Sequence, residues 1–143
     1  MQQRLYLHHD KTAEFNGLKV IISLENEVEY LPGLEDVALT TGTVSLENNA
    51  GESIYINFDL FCDVTGFFDC VFDVYEWMDE DYINLDEDEY YAFINCAPIP
   101  FTRSYDYKTE RNLYRVINQT TAKLCEEVKP AIVEYIKEVK END

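Results

Sequence analysis

From Ser53 to Val64 apolar and polar residues alternate, with Ile54, Ile56, Phe58, Leu60 and Cys62 on one side of an extended chain and Tyr55, Asn57, Asp59, Phe61 and Asp63 on the other. Period-two alternation of this kind predicts a half-buried strand. Two shorter runs rich in branched and aromatic residues, Arg4–His9 and Gly17–Leu24, predict strands that pair across the turn-prone stretch Asp10–Asn16. Glu25–Gly33 sets acids against Val28 and Tyr30 and closes on Leu31-Pro32-Gly33, which suits an edge strand. Val37–Glu47 leads into Asn48-Asn49-Ala50-Gly51, residues that tolerate positive φ, and so predicts a hairpin with Ser53–Val64. Thr65-Gly66 turns the chain again, Phe68–Trp77 returns as a strand, and Tyr82–Cys96 supplies a further one. Cys96-Ala97-Pro98-Ile99-Pro100 ends the sheet, since two prolines cannot serve a central ladder.

From about Lys108 the period changes. Leu113, Val116, Ile117, Thr120, Leu124, Val128, Ile132 and Ile136 recur every three or four residues, the stripe of an amphipathic helix. Pro130 is expected to kink that helix or split it in two. The pattern as a whole predicts an α+β fold: an antiparallel twisted sheet of about five to seven strands with one face covered by the C-terminal helix. One domain spanning residues 1–143 is expected, mostly β over 1–102 and mostly helical over 103–143.

Charge divides the chain differently. Residues 20–102 contain 19 acidic side chains and no lysine or arginine, whereas residues 103–143 hold eight of each sign and residues 1–19 carry a net charge of +1. A halophile-type acidic surface would be spread over the whole protein. A localised field of one sign points instead to a basic partner.

The densest part is Asp59, Asp63, Asp69, Asp73, Glu76, Asp79, Glu80, Asp81, Asp86, Glu87, Asp88 and Glu89. A three-residue loop at Thr65-Gly66 puts Asp59, Asp63, Asp69 and Asp73 on one face. A two-residue loop would put the pairs on opposite faces, but Thr-Gly is not a favoured two-residue turn. Same-face residues two apart on a strand are separated by roughly 7 Å and neighbouring strands by about 4.8 Å. That grid is of the same order as the spacing of DNA phosphates, which rise ~3.4 Å per step along one strand. Tyr55, Tyr75, Trp77, Tyr82, Tyr90 and Tyr91 are interleaved with the acids and offer apolar contact and cation–π attraction to Arg or Lys. The candidate partner-binding set is Asp59, Asp63, Asp69, Asp73, Tyr75, Glu76, Trp77, Asp79, Glu80, Asp81, Asp86, Glu87, Asp88 and Glu89.

Other chemistry is thinly signalled. Asp79-Glu80-Asp81 and Asp86-Glu87-Asp88 offer oxygen ligands but lack the glycine and spaced glutamate of a helix–loop–helix calcium site. Cys62, Cys70, Cys96 and Cys125 have no Cys-x-x-Cys spacing, and the only histidines are the adjacent His8 and His9, so no zinc site is expected. Reduced, mostly buried thiols are expected, with a Cys62–Cys70 cross-strand disulfide as the alternative. There is no Gly-rich phosphate loop and no Gly-x-Ser-x-Gly, and the expectation is a protein without catalysis or cofactor. No apolar run approaches the roughly 18 residues of a membrane span, and the start Met1-Gln2-Gln3-Arg4-Leu5-Tyr6 does not read as a secretory signal, so the cytosol is the expected compartment.

Over Val20–Thr102, and above all Asp59–Glu89, the chain resembles the small acidic inhibitors that phages and mobile elements direct against host DNA-handling systems, the anti-CRISPR and anti-restriction DNA mimics. The resemblance is one of charge, size and composition. It implies a non-catalytic protein, in the cytoplasm of a host bacterium, that occupies the basic DNA-binding groove of a CRISPR effector, restriction enzyme or nuclease. Two other readings predict an acidic surface as well: an immunity protein neutralising a basic toxin, and an acidic structural or adaptor protein.

Overall fold

The computed structural model describes residues 4–33, 36–72, 87–94 and 107–141. They form an α+β fold, a curled antiparallel sheet with a long C-terminal helix. The strands are β1 (Leu5–Tyr6), β2 (His9–Phe15), β3 (Leu18–Leu24), β4 (Glu27–Leu31), β5 (Val37–Glu47), β6 (Ser53–Cys62) and β7 (Phe68–Phe72); the helices are α1 (Glu87–Ile94) and α2 (Tyr107–Glu141).

The seven strand segments reduce to a five-ply meander. Tyr6 pairs with Glu27 and His9 with Leu24 in one unbroken register, and the Leu7 amide donates to the Asn26 carbonyl at 3.0 Å, so β1–β2 is one bent strand lying along β3–β4. Against β5 that register breaks. Between the pairs Ser23↔Thr43 and Glu29↔Leu39, residues 24–28 stand opposite only residues 40–42. A bulge of this kind bends the sheet and sharpens its twist. Side chains close the gap: the Asn26 amide donates to the Thr41 carbonyl at 3.0 Å, and the Thr40 hydroxyl to the Glu27 carbonyl at 3.2 Å. Along its other edge β5 pairs with β6, and β6 with β7.

One turn differs from the sequence expectation. Asp10–Phe15 is strand and not turn, because the reversal needs only Asn16 and Gly17, both at positive φ (52° and 85°), between the paired Phe15 and Leu18. Asn-Gly with two positive φ values is the preferred two-residue hairpin turn, since its twist matches that of the strands. Arg4–His9 accordingly meets β4 as well as the end of β3. Glu25–Gly33 is not an edge strand, because β1 lies outside β4.

The alternation in β6 holds throughout: Ile54, Ile56, Phe58, Leu60 and Cys62 are buried. They join Leu18, Val20, Ile22 and Leu24 of β3 and Val44 and Leu46 of β5 beneath α2. The helix presents Leu113, Ile117, Leu124, Val128, Ile132 and Ile136 to this layer, the predicted stripe, with Cys125 beside it. Thr120 and Thr121 are buried on the same side and satisfy their hydroxyls on the Val116 and Ile117 carbonyls, each at 2.7 Å. Pro130 does not split the helix, which runs unbroken from Tyr107 to Glu141. Proline removes the bond to the carbonyl four residues earlier; that residue, Glu126, is exposed, as is Pro130, so water can take up the carbonyl.

Tyr82–Cys96 is not a strand where it is described: Glu87–Ile94 is helix. Tyr90, Phe93 and Ile94 fall at helical spacing and are buried, and three acids at its start suit the positive end of the helix dipole. The expected ends of strands at Asp73–Trp77 and Tyr82–Asp86, and the sheet-terminating Cys96–Pro100, lie outside the described residues. Cys62, Cys70 and Cys125 are free thiols. Cys62 opposes Phe68 and Cys70 opposes Leu60, so the two strand cysteines are diagonal neighbours. Diagonal pairs lie about 7 Å apart, beyond the roughly 3.5–4.5 Å between Cβ atoms that a disulfide requires, which removes the Cys62–Cys70 alternative. No described helix is long and apolar enough to cross a membrane.

Candidate partner-binding face

The β6–β7 hairpin has the three-residue loop. Cys62 pairs with Phe68, the Asp63 amide donates to the Phe67 carbonyl at 3.1 Å, and Val64, Thr65 and Gly66 are left between. Parity then fixes the faces. Asp59 stands opposite Val71 and Phe61 opposite Asp69, and all four point away from the core, as Asp63 and Phe67 do. Asp59 and Asp69 are therefore diagonal neighbours on one exposed face, at about 7–8 Å. Apolar side chains share it: Tyr55, Phe67 and Val71 are 57%, 69% and 51% exposed. Across β5 the row continues through Thr41 opposite Asp59 and Leu39 opposite Phe61.

Asp63 belongs to the same side but has another occupation. Its Oδ1 accepts from the Thr65 amide at 2.9 Å, the Thr65 hydroxyl at 2.6 Å and the Phe67 amide at 3.0 Å. Those bonds, the Thr65 hydroxyl foremost, hold its pKa below the ordinary 3.8. Asn48 does the same work in the β5–β6 hairpin, where its Oδ1 accepts from the Ala50 amide at 3.0 Å and the Glu52 amide at 2.9 Å. Each loop places a glycine three residues on, Gly51 at φ 81° and Gly66 at φ 88°. The shared spacing, an Asx residue followed three positions later by glycine, was the signal in the sequence for a structural carboxylate at Asp63.

Asp63→Ala is accordingly expected to cost about 1–2 kcal/mol, the usual worth of a capping side chain, in urea unfolding at neutral pH. Asp63→Asn retains the acceptor oxygen and follows Asn48, so it keeps most of that stability. The sign of its pH dependence is set by the depressed pKa: the carboxylate's contribution is complete above pH 3.8 and is lost as the pH falls through the lower folded value. Asp63→Asn should flatten the acid limb of the stability profile below about pH 4; an unchanged limb contradicts this assignment.

The acids of α1 lie on a helix and not on a strand of this sheet. The Ile94 carbonyl at the helix's C-terminal end accepts from the Asn16 amide at 3.4 Å, beside the β2–β3 turn. Lys19, next to that turn, pairs with Glu47 at the β5–β6 hairpin, the opposite end of β6 from Asp63. Glu87, Asp88 and Glu89 are thus carried on a helix tied to the far end of the sheet, not on a strand neighbouring β7. Tyr90 is no surface aromatic: it is buried in the core, against which Tyr114 of α2 also packs. Asp73, Tyr75, Glu76, Trp77, Asp79, Glu80, Asp81 and Asp86 lie outside the described residues.

Side chains of both signs tie α2 to the sheet side of the fold. Lys11 of β2 pairs with Glu127, Lys140 with Asp36 at 2.8 Å, and the aliphatic stem of Lys129 lies over Gly66. Tyr30 donates to the same Asp36 at 2.5 Å, and Lys140 and Tyr30 together hold that carboxyl below its ordinary range. Among the described residues no group of three or more His, Cys, Asp or Glu side chains is placed to hold a metal ion. Comparison with protein-family models, with curated proteins and with solved structures finds no match.

Proposed function

We propose that this protein is a non-catalytic inhibitor that acts as a nucleic-acid mimic, presenting the outer face of β6 and β7 to the basic DNA-binding groove of a nuclease, CRISPR effector or restriction enzyme. The observation that carries the reading is Asp59 and Asp69, exposed side by side with Tyr55, Phe67 and Val71, in a stretch of 83 residues without a basic side chain. Same-sign carboxylates close together on one face lower stability slightly and serve no packing purpose. Against Arg and Lys they gain charge-assisted hydrogen bonds, and the adjoining aromatic rings gain cation–π contact.

Association driven by such a field is fast and weakens with salt, while the apolar contacts set the off-rate. Inhibition is stoichiometric, with one acidic face per groove. The test is capture of a DNA-binding protein by the tagged chain, followed by titration with duplex DNA and with salt. Binding that DNA displaces, and that Asp59→Lys with Asp69→Lys weakens at least about tenfold (~1.4 kcal/mol), is expected. Affinity unchanged by the double reversal, or indifference to DNA, refutes the reading; the latter result is what an immunity protein bound away from the groove would give.

A further inference from the structure

The rows that run across the strands carry an order that no single strand shows. Leu39 of β5 stands opposite Glu29 of β4 on one side and Phe61 of β6 on the other, and Phe61 stands opposite Asp69 of β7. Opposed residues share a face, so Glu29, Leu39, Phe61 and Asp69 form one line on the outer side of four neighbouring strands. The line reads acid, apolar, apolar, acid. Glu29 and Asp69 are exposed, and Leu39 and Phe61 are half-buried. Arg4, at the β4 end, pairs with Glu27 at 3.8 Å, and among the described residues no ion pair involves Glu29 or Asp69.

We propose that this line docks a basic amphipathic helix of the partner, laid across the strands with two cations at its ends and two apolar residues between them. The inference rests on the reading above, that this face meets a basic protein, and extends the face from β6 and β7 to Glu29. Charge complementarity selects the ends, because the line carries two carboxylates in a stretch without lysine or arginine. Spacing selects the helix. Four strands span three gaps of about 4.8 Å, roughly 14 Å in all. On a helix, residues i, i+4, i+7 and i+11 fall on one stripe and span about 16 Å, at about 1.5 Å per residue, so each meets one strand. An extended segment laid the same way repeats on one face about every 7 Å and falls out of step.

Side-chain length follows the same order. The sheet curls around α2, so its outer side falls away from a straight rod toward the flanking strands. Leu39 and Phe61 meet the helix at the middle, where the gap is smallest. Glu29 and Asp69 meet it at the ends, where long Arg or Lys side chains bridge the wider gap with charge-assisted hydrogen bonds.

The test is titration of the full chain with two side-chain-stapled, alanine-based helices of about 18 residues and identical composition. One carries Arg at i and i+11 with Leu at i+4 and i+7; in the other the Arg and Leu positions are exchanged. The first is expected to bind at least about fivefold more tightly, and Glu29→Gln or Asp69→Asn to weaken it about threefold or more. Glu14→Gln, at an exposed acid of β2 off the line, leaves it unchanged. Equal affinity for both peptides, or a similar loss with Glu14→Gln, is unspecific attraction to an acidic protein and overturns the inference, as does binding of neither. A captured DNA-binding protein that loses affinity with Asp59→Lys and Asp69→Lys but not with Glu29→Gln would refute the helix site and leave the mimic standing. Selective peptide binding beside a captured partner that DNA does not displace would refute the mimic alone.

Discussion

Gly42→Val is expected to lower the stability of this protein by about 3 kcal/mol, a loss near that of deleting a buried aromatic side chain. Valine is the better strand former by propensity, so a surface or loosely packed site would predict a gain. The site decides otherwise. Gly42 stands directly opposite Phe58 on the core face, and a Cβ there would lie 2.6 and 2.8 Å from the two Cε atoms of the ring. Phe58 is 2% exposed, surrounded by the packed layer under α2, and has no vacant direction in which to swing. A compensating change supports the cause: Phe58→Ala is costly by itself, but in Gly42→Val/Phe58→Ala the second substitution costs far less than in the parent, because the valine fills part of the space the ring vacates. Urea unfolding of the four proteins measures the coupling; additive losses would mean the ring and the glycine do not confront each other.

Leu124→Ala is the second large effect, about 2–5 kcal/mol. Leu124 is fully buried midway along α2, in the core layer shared with β3, β5 and β6 and one turn from Glu127, which pairs with Lys11 of β2. A cavity there opens inside the packed layer between helix and sheet, where the surroundings relax only in part. Lys123→Ala, one residue earlier and exposed, should change stability by no more than about 0.5 kcal/mol. Similar losses for the two variants would show that the cost lies in helix propensity and not in the core.

The elements that were legible in the sequence are those where one physical demand dominates. Ser53–Val64 alternates because one face is buried along its whole length, and Leu113–Ile136 repeats every three or four residues because one side of a helix covers that face. Asp10–Phe15 was not legible, because an outer strand exposes Asp10, Thr12 and Glu14, and half-buried Lys11 faces inward to meet Glu127. Polarity there imitates a loop. In α1 the branched and aromatic content of Tyr82–Cys96 suggested strand, while burial of Tyr90, Phe93 and Ile94 at helical spacing decided for helix. The candidate face was legible as charge and as parity: the three-residue loop put Asp59, Asp63 and Asp69 on one side. Counting charges could not show that Asp63 is bound into its own hairpin, nor that Glu87–Glu89 would be carried on a helix anchored at Asn16. Both depend on contacts between residues that the linear pattern treats separately.

The bulge at residues 24–28 has a bearing on shape. By turning the meander around α2 it makes the core side of the sheet concave and the side bearing Asp59 and Asp69 convex. On the proposed reading, a convex surface of this kind fits a trough in something else. Curvature also fans the outward side chains apart, so neighbouring carboxylates can point toward opposite banks of such a trough. If the proposed function holds, the fit is governed by the radius of the sheet, and a change that flattened it, such as restoring a regular register between β4 and β5, is expected to weaken engagement while leaving every charge in place.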